Sequence, residues 1–391
     1  MDGKVDLVAI SSAGYAALRA GDTDRARRIF SQATTIGAAD AAMWFGLSMA
    51  HRARAEPAEE QAALDRVLQL DDRHLPALIA KGDLYARAGD RRAASAFYNA
   101  VVKLVPTMSP LSAEWQSEVR RIESLSRKFA ADFSTHVQSA LDAAGVGAPG
   151  GERFGRAVDL LLGKREIYHQ QPKHFFFPEL PETQFFDRHL FPWVTALESE
   201  FAAIRMEARA VLDSGAGIVP YVQARAGRPP HDVVGLLDNP RWGAFFLVKD
   251  GVKVAKNAER CPRTVAAMQN VSLCRIDNRT PSVLFSVLQP GTRIPPHHGY
   301  TNARLICHLP LIVPPQCGLR VGNETRSWRE GEVVVFDDSI EHEAWNGSAE
   351  QRAVLIFDIW RPELSQQEQD LVAAMMAAID RFDGSRGRWT D

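Results

Sequence analysis

The sequence predicts a multidomain α + β protein in which helical hairpin repeats precede a double-sheet β roll. One observation is a recurring helical pattern near the start: AGDTDRARRIF at 20–30 returns as AGDRRAASAFY at 88–98. Another is a change of texture after about residue 214, from Ala- and Arg-rich helical periodicity to short Val, Ile, Leu and Phe runs broken by Gly, Pro and Asn. The third is a concentration of histidine. Four of the 11 histidines (His297, His298, His308, His342) fall between Pro295 and Trp360. At 391 residues the chain exceeds one ordinary core, so two domains and a connector are expected.

The first unit covers 9–106. The two matching segments lie 68 residues apart, which is twice 34, and Gly14, Gly46 and Gly82 recur at intervals of 32 and 36. Ala26 and Ala94 are in register, as are Phe30 and Tyr98, and Pro106 closes the last turn. Small residues at fixed helical positions let two helices approach while an aromatic side chain packs into the next hairpin. This pattern resembles tetratricopeptide repeats, with two good units around a degenerate middle one. Residues 107–150 continue helically from PLSAEWQSEV and are expected to cap and connect. The segment VGAPGGERFG at 145–155 marks a boundary, and 151–391 forms the second domain.

Within the second domain, RFGRAVDLLLGK reads as helix and QPKHFFFPELPETQFFDRHLFPW is too apolar for a free linker. A helix is expected over 191–213, then a long irregular segment from 214 to 241 of the kind that often carries function. WGAFFLVKDGVKV reads as two strands about an Asp250–Gly251 turn. CPRTVAAMQNV reads as a short helix, and strands are expected at 283–289, 304–313, 317–322, 332–337 and 352–360. Short strands without interleaved long helices favour a roll over a parallel sheet.

A formal charge of −2 gives no general attraction to nucleic acid or anionic lipid. The N-terminus has no secretory h-region and no apolar run is long enough to span a membrane, so a cytoplasmic setting is the expectation. Cys261, Cys274, Cys307 and Cys317 lack CxxC spacing and read as single buried thiols rather than a zinc or disulfide framework.

Histidines on different strands suit a redox metal. His297 and His342 are candidate ligands, with His298 the rival to His297 because adjacent residues of an extended segment face opposite ways. The His-x-Asp/Glu carboxylate common in iron oxygenases is absent, since Gly299 stands there. Asp337, Asp338, Glu341 and Glu343 could supply oxygen ligands or make turn hydrogen bonds. Arg304 and Arg352 lie inside apolar strand-like runs, where each needs a structural carboxylate or a bound organic acid. Ser286 could add a neutral hydrogen bond.

The segments SVLQPGTRIPPHHGYTNARLICHLPLIVP (286–314), GNETRSWREGEVVVFDDSIEHEAWN (322–346) and RAVLIFDIWRPEL (352–364) resemble the aspartyl/asparaginyl β-hydroxylase family of iron- and 2-oxoglutarate-dependent oxygenases. FFDRHLFPWVTALE (185–198) and Cys261-Pro262 with Thr264 extend the match to roughly 170–365. The resemblance implies a double-stranded β-helix (jelly-roll, cupin-like) domain with Fe(II) held by His297 and His342, with solvent expected at the place of the missing carboxylate. It implies that Ser286 and Arg352 hold the distal carboxylate of 2-oxoglutarate, that His308 holds the proximal one, and that Arg304 meets the acidic substrate. Two departures stand out: Ile306 replaces an arginine of the family pattern, and Leu288 replaces a methionine.

The implied function is an Fe(II)-, 2-oxoglutarate- and O2-dependent dioxygenase that hydroxylates a peptide or protein (Asp/Asn-like) or a small acidic substrate. The repeats are candidates for recruiting a peptide or protein, and neither nucleic acid nor membrane is an expected partner, although the family includes relatives that act on lipid. The competing expectations are a non-catalytic scaffold with a metal- or anion-binding roll, favoured by Ile306, and a cupin-like metal enzyme that does without 2-oxoglutarate.

Overall fold

The computed structural model describes residues 7–35, 39–108, 110–145, 151–224 and 235–383. The chain divides into two compact units, Met1–Leu162 and Gly163–Asp391. The division falls later than residue 150 because the helix following the glycine-rich break belongs to the first unit. Residues 146–150 lie outside the described residues.

The first unit is built from helices α1 (Leu7–Arg19), α2 (Thr23–Thr35), α3 (Ala41–Ala53), α4 (Pro57–Leu70), α5 (Leu75–Arg87), α6 (Arg91–Leu104), α7 (Ala113–Ala143) and α8 (Gly151–Leu161). The first six pair as three tetratricopeptide-like hairpins, and α7 closes the last one. The repeating glycines explain the pairing. A Cβ on Gly14 or Gly46 would lie within 2.5 Å or 2.3 Å of the Phe30 ring, and one on Gly82 within 2.4 Å of Tyr98. One aromatic side chain thus locks into its own hairpin and the next. The middle repeat is degenerate at three positions, each 34 residues from its counterparts. Ala55 replaces Gly21 and Gly89 in the left-handed turn (φ 53°, 75° and 80°), Glu60 replaces Ala26 and Ala94, and Leu64 replaces Phe30 and Tyr98. Glu60 is buried and accepts two hydrogen bonds from Arg87, at 2.8 and 2.7 Å. Asp40 and Asp90 cap α3 and α6 by accepting from Met43 N and Ala93 N at 2.9 Å.

The second unit packs helices against one face of a β roll. Its helices are α9 (Val194–Ser199), α10 (Phe201–Ser214), α11 (Ala255–Ala258), α12 (Pro262–Met268) and α13 (Gln366–Asp383). The helix expected over 191–213 is therefore broken at Glu200. Glu207 of α10 accepts from Arg263 N (2.8 Å) and Thr264 N (2.9 Å), which satisfies the first turn of α12. The strands are β1 (Phe185–Phe186), β2 (Val219–Pro220), β3 (Trp242–Lys249), β4 (Val252–Lys253), β5 (Val283–Leu288), β6 (Thr292–His297), β7 (Arg304–Ile312), β8 (Cys317–Val321), β9 (Glu324–Arg326), β10 (Val334–Phe336), β11 (His342–Asn346) and β12 (Arg352–Trp360). One sheet has the order β1-β10-β7-β12-β5-β3-β2 with β4 on β3, and the other β6-β11-β8-β9. All pairings between these strands are antiparallel. Together they make the jelly-roll architecture the sequence predicts.

The turn at Asp250 (φ 51°) and Gly251 (φ 78°) joins β3 to β4 as expected. The centre of the long irregular segment, 225–234, lies outside the described residues. All four cysteines are free and buried. Among the described residues, no helix is long and apolar enough to cross a membrane.

Candidate active site in the roll of the second unit

Strand alternation sorts the larger sheet into two faces. Phe285, Leu305, Cys307, Leu309, Leu355 and Phe357 point to one side and pack with Val194, Leu197, Ile204 and Ala208 of α9 and α10. Their neighbours in sequence point the other way. By register, Ser286, Ile306, His308, Phe336, Arg352 and Asp358 share this inner face. Apolar residues of the smaller sheet, Ile294, Leu319, Val321 and Ala344, form a core with Phe336, Leu288 and Trp242 against it. A functional side chain is thus placed inside the roll merely by falling on the right parity.

His297 ends β6 and His342 begins β11, and the two are directly paired across the strands. Their ring centroids are 4.1 Å apart. Each ring uses Nδ1 on a carbonyl two residues back, His297 on Pro295 O (2.8 Å) and His342 on Ile340 O (3.1 Å). Nδ1–H donation to a carbonyl leaves Nε2 with its lone pair free, the arrangement a metal ligand needs. Burial holds His297 down at about 4 and His342 well below the usual imidazole value, so both rings are neutral at physiological pH. Of the rivals, His297 and not His298 meets His342.

The other expected oxygen donors are engaged elsewhere. Asp337 accepts from buried Arg361 at 2.5 Å, Glu341 from Arg320 at 2.8 Å, and Glu343 from Arg320 at 2.5 Å and Arg293 Nε at 2.8 Å. Among the described residues, no group of three or more His, Cys, Asp or Glu is arranged to hold a metal. The protein thus offers a two-histidine face.

Gly299 is packed closely against Asp338. A Cβ at this position would lie 2.1 Å from Asp338 Oδ2. Asp338 is buried, its Oδ1 has no hydrogen-bond partner, and burial pushes its carboxyl up to about 6 against the pull of Arg304. Arg304 itself sits between two carboxylates, with Nη2 3.1 Å from Asp338 and Nη1 2.8 Å from Asp358. Two of the Arg304 nitrogens are thus met inside the protein, by residues 34 and 54 positions further along the chain, while its Nε is buried without a hydrogen-bond partner.

Arg352 is the opposite case. It is 1% exposed, and its Nε and Nη1 have no hydrogen-bond partner. Its guanidinium carbon lies 4.6 Å from the centre of the Trp328 ring, and burial pushes its pKa down to about 10. Around it, Trp328 Nε1 and His308 Nδ1 are also buried without partners. Burial, reinforced by the charge of Arg352, pulls His308 down to about 3. Ser286 Oγ accepts from Trp242 Nε1 at 3.1 Å, leaving its hydroxyl proton to donate. A chain of rings joins this end of the face to the histidine pair: His308 to Phe336 at 5.0 Å, and Phe336 to His342 at 5.6 Å. Ile306 lies on the same face and packs into its apolar cluster.

The fold and this site define a jelly-roll domain with a neutral two-histidine centre beside a buried cation pocket. Residues 198–362 match the family model for aspartyl/asparaginyl β-hydroxylase. Similar proteins include aspartate β-hydroxylase domain-containing protein 2 of Xenopus tropicalis, 34% identical over 212 residues (53% of this chain, 55% of that protein). The ornithine lipid ester-linked acyl 2-hydroxylase of Rhizobium tropici is 36% identical over 180 residues (45% and 60%). The aspartyl/asparaginyl β-hydroxylase of Mus musculus is 35% identical over 183 residues (46% and 23%). The matched part of the chain spans little more than half the length of the first two relatives and less than a quarter of the third.

Proposed function

We propose that the second unit is an Fe(II)- and 2-oxoglutarate-dependent hydroxylase acting on an Asp/Asn-like peptide or protein, or on a small acidic molecule. The observation that carries this reading is the buried, unpartnered Arg352 on the same inner face as the His297–His342 pair. An isolated buried guanidinium costs several kcal/mol unless an anion meets it. Arg352, Trp328 and Ser286 offer donors to one carboxylate, and neutral His308 offers a ring nitrogen to the other. His297 and His342 would hold the metal, their rings oriented by the Nδ1 hydrogen bonds to Pro295 O and Ile340 O. When bound, the metal and co-substrate would, with O2 as oxidant, supply decarboxylation of 2-oxoglutarate to succinate and CO2 coupled to hydroxylation of a substrate C–H bond, one oxygen atom going to each product. The apolar walls, among them Phe336 and Leu288, exclude water from that chemistry.

In the first unit, a groove of about 660 Å³ is lined by Phe45, Met49 and Arg52 of α3, Ile79 and Asp83 of α5, and Trp115 and Arg121 of α7. This supports a role for the repeats in holding an extended peptide. Ile306, apolar where the family pattern has arginine, favours the second reading of a non-catalytic anion-binding module.

Anaerobic addition of Fe(II) and 2-oxoglutarate to the whole chain, followed by visible absorption spectroscopy, separates the two. A metal-to-ligand charge-transfer band that disappears in His342→Ala is expected. No band at saturating ligand, with no succinate formed, sinks the hydroxylase reading. In Ile306→Arg the co-substrate titration should tighten; an unchanged midpoint would show that other groups already grip that carboxylate.

A further inference from the structure

With Arg304 neutralised by Asp338 and Asp358, the rim of the two-histidine face needs another cation if an acidic substrate is to be recognised. One stands there. Residues 170–177 form a strap fastened to the loop that follows His297. Gln171 N donates to Ser339 O (2.8 Å), Lys173 N to Gly299 O (3.0 Å), His174 N to Tyr300 O (3.0 Å) and Phe177 N to Asn302 Oδ1 (2.7 Å). The backbone of Lys173 is therefore one hydrogen bond from Gly299, two residues after a metal histidine and against the carboxylate of Asp338. Its ammonium leans over the Tyr300 ring, 5.6 Å from the centroid, and that ring is stacked on its other neighbour, His174, at 5.2 Å. The side chain is exposed to solvent and has no carboxylate within ion-pair distance among the described residues. Desolvation lowers its pKa from the usual lysine value, and the Asp338 carboxylate pulls the other way.

We propose that Lys173 binds an acidic group of the substrate at the rim of the two-histidine face and so selects acidic over neutral side chains. The inference rests on the reading of that face as a metal centre. It follows from the geometry in two ways. A strap fixed by several backbone hydrogen bonds pins the Cα of Lys173, and the Tyr300 face restricts the stem, so less freedom is lost when an anion binds. Arg352, the other unpartnered cation of this face, is too deeply buried to meet a group on a large substrate while it holds the co-substrate.

The test compares two fluorescein-labelled pools of short peptides with random flanks, one with Asp at the central position and one with Asn. Both are titrated by anisotropy against the whole chain loaded anaerobically with Fe(II) and 2-oxoglutarate. The Asp pool should bind about fivefold more tightly, the upper range for a solvent-accessible ion pair. Lys173→Met should erase the preference, Lys173→Arg should keep it, and the charge-transfer band should persist in both. Equal binding of the two pools to the natural chain, including binding of neither, overturns the proposal, as does a preference that survives in Lys173→Met. Absence of the band overturns the reading of the centre and this inference with it. A band without a preference overturns the inference alone.

Discussion

In the helical unit, most buried charge comes with its partner, Arg27 Nε being an exception. Glu60 meets Arg87, Lys81 meets Asp65, and His51 meets Glu56 at 2.7 Å. In the roll, Arg320 and Arg293 pair with Glu343 near the surface and Arg361 pairs with Asp337 in the interior. Inside, the pattern breaks: Arg352, His308 and Trp328 leave buried polar atoms without partners on one face. The contrast separates stability from function. Stability alone favours pairing or removing such groups, so a cluster of several unpaired ones on one inner face marks where a ligand's chemistry is needed. The family-model match, residues 198–362, contains this inner face.

The sharpest way to break the comparison is to damage one unit and watch the other. Phe30→Ala removes the ring that fills two glycine clefts and should destabilise the helical unit by about 3–5 kcal/mol. Hydrogen exchange should report the loss across α1 to α4 while the iron and co-substrate band stays intact. Loss of the band as well would show that the repeats support the centre.

Arg352→Met tests the opposite sign. Replacing an unpaired buried cation by an apolar side chain of similar length should stabilise the ligand-free protein by about 1–4 kcal/mol while abolishing the response to 2-oxoglutarate. Denaturant melts with and without the co-substrate give both numbers. A destabilised variant would mean that the guanidinium already has a partner.

Gly299→Ala forces a methyl group into the Asp338 carboxylate and should cost about 1–3 kcal/mol in the natural chain but much less when added to Asp338→Ala, which itself loses the pair with Arg304. Additive losses would place the strain elsewhere. The smallest effect is a gain. Ala55→Gly relieves a left-handed alanine at the turn where the flanking repeats have glycine, and should stabilise the helical unit by about 1 kcal/mol. A melt unchanged within a few tenths of a kcal/mol would show the turn to be unstrained.

Much of this was legible in the sequence because the signals are local. The glycine–aromatic spacing predicts the hairpin lock, and the parity of Ser286, His308 and Arg352 follows once their strands are recognised. The two strands that present the histidines are absent from the expected set, as are the short β1, β2 and β9. β6 (TRIPPH) contains two prolines and β11 (HEAWN) is mostly polar, so neither has the branched, alternating texture of a strand. Pairing with each other and with β8 makes them strands. The pairing of Arg304 was unreadable for a related reason: Asp338 and Asp358 reach it across the sheet, and no spacing rule announces that. The strap bearing Lys173 looks like an apolar linker until Gly299 and Tyr300 accept its amides.

Those prolines have one more consequence. β6 lies at the free margin of its sheet, where exposed amides ordinarily invite a strand from another molecule. Pro295 and Pro296 have no amide hydrogen to offer, and the carbonyl of Pro295 is taken by His297. The histidine-bearing strand can therefore lie open at the edge of the roll without becoming a template for self-association.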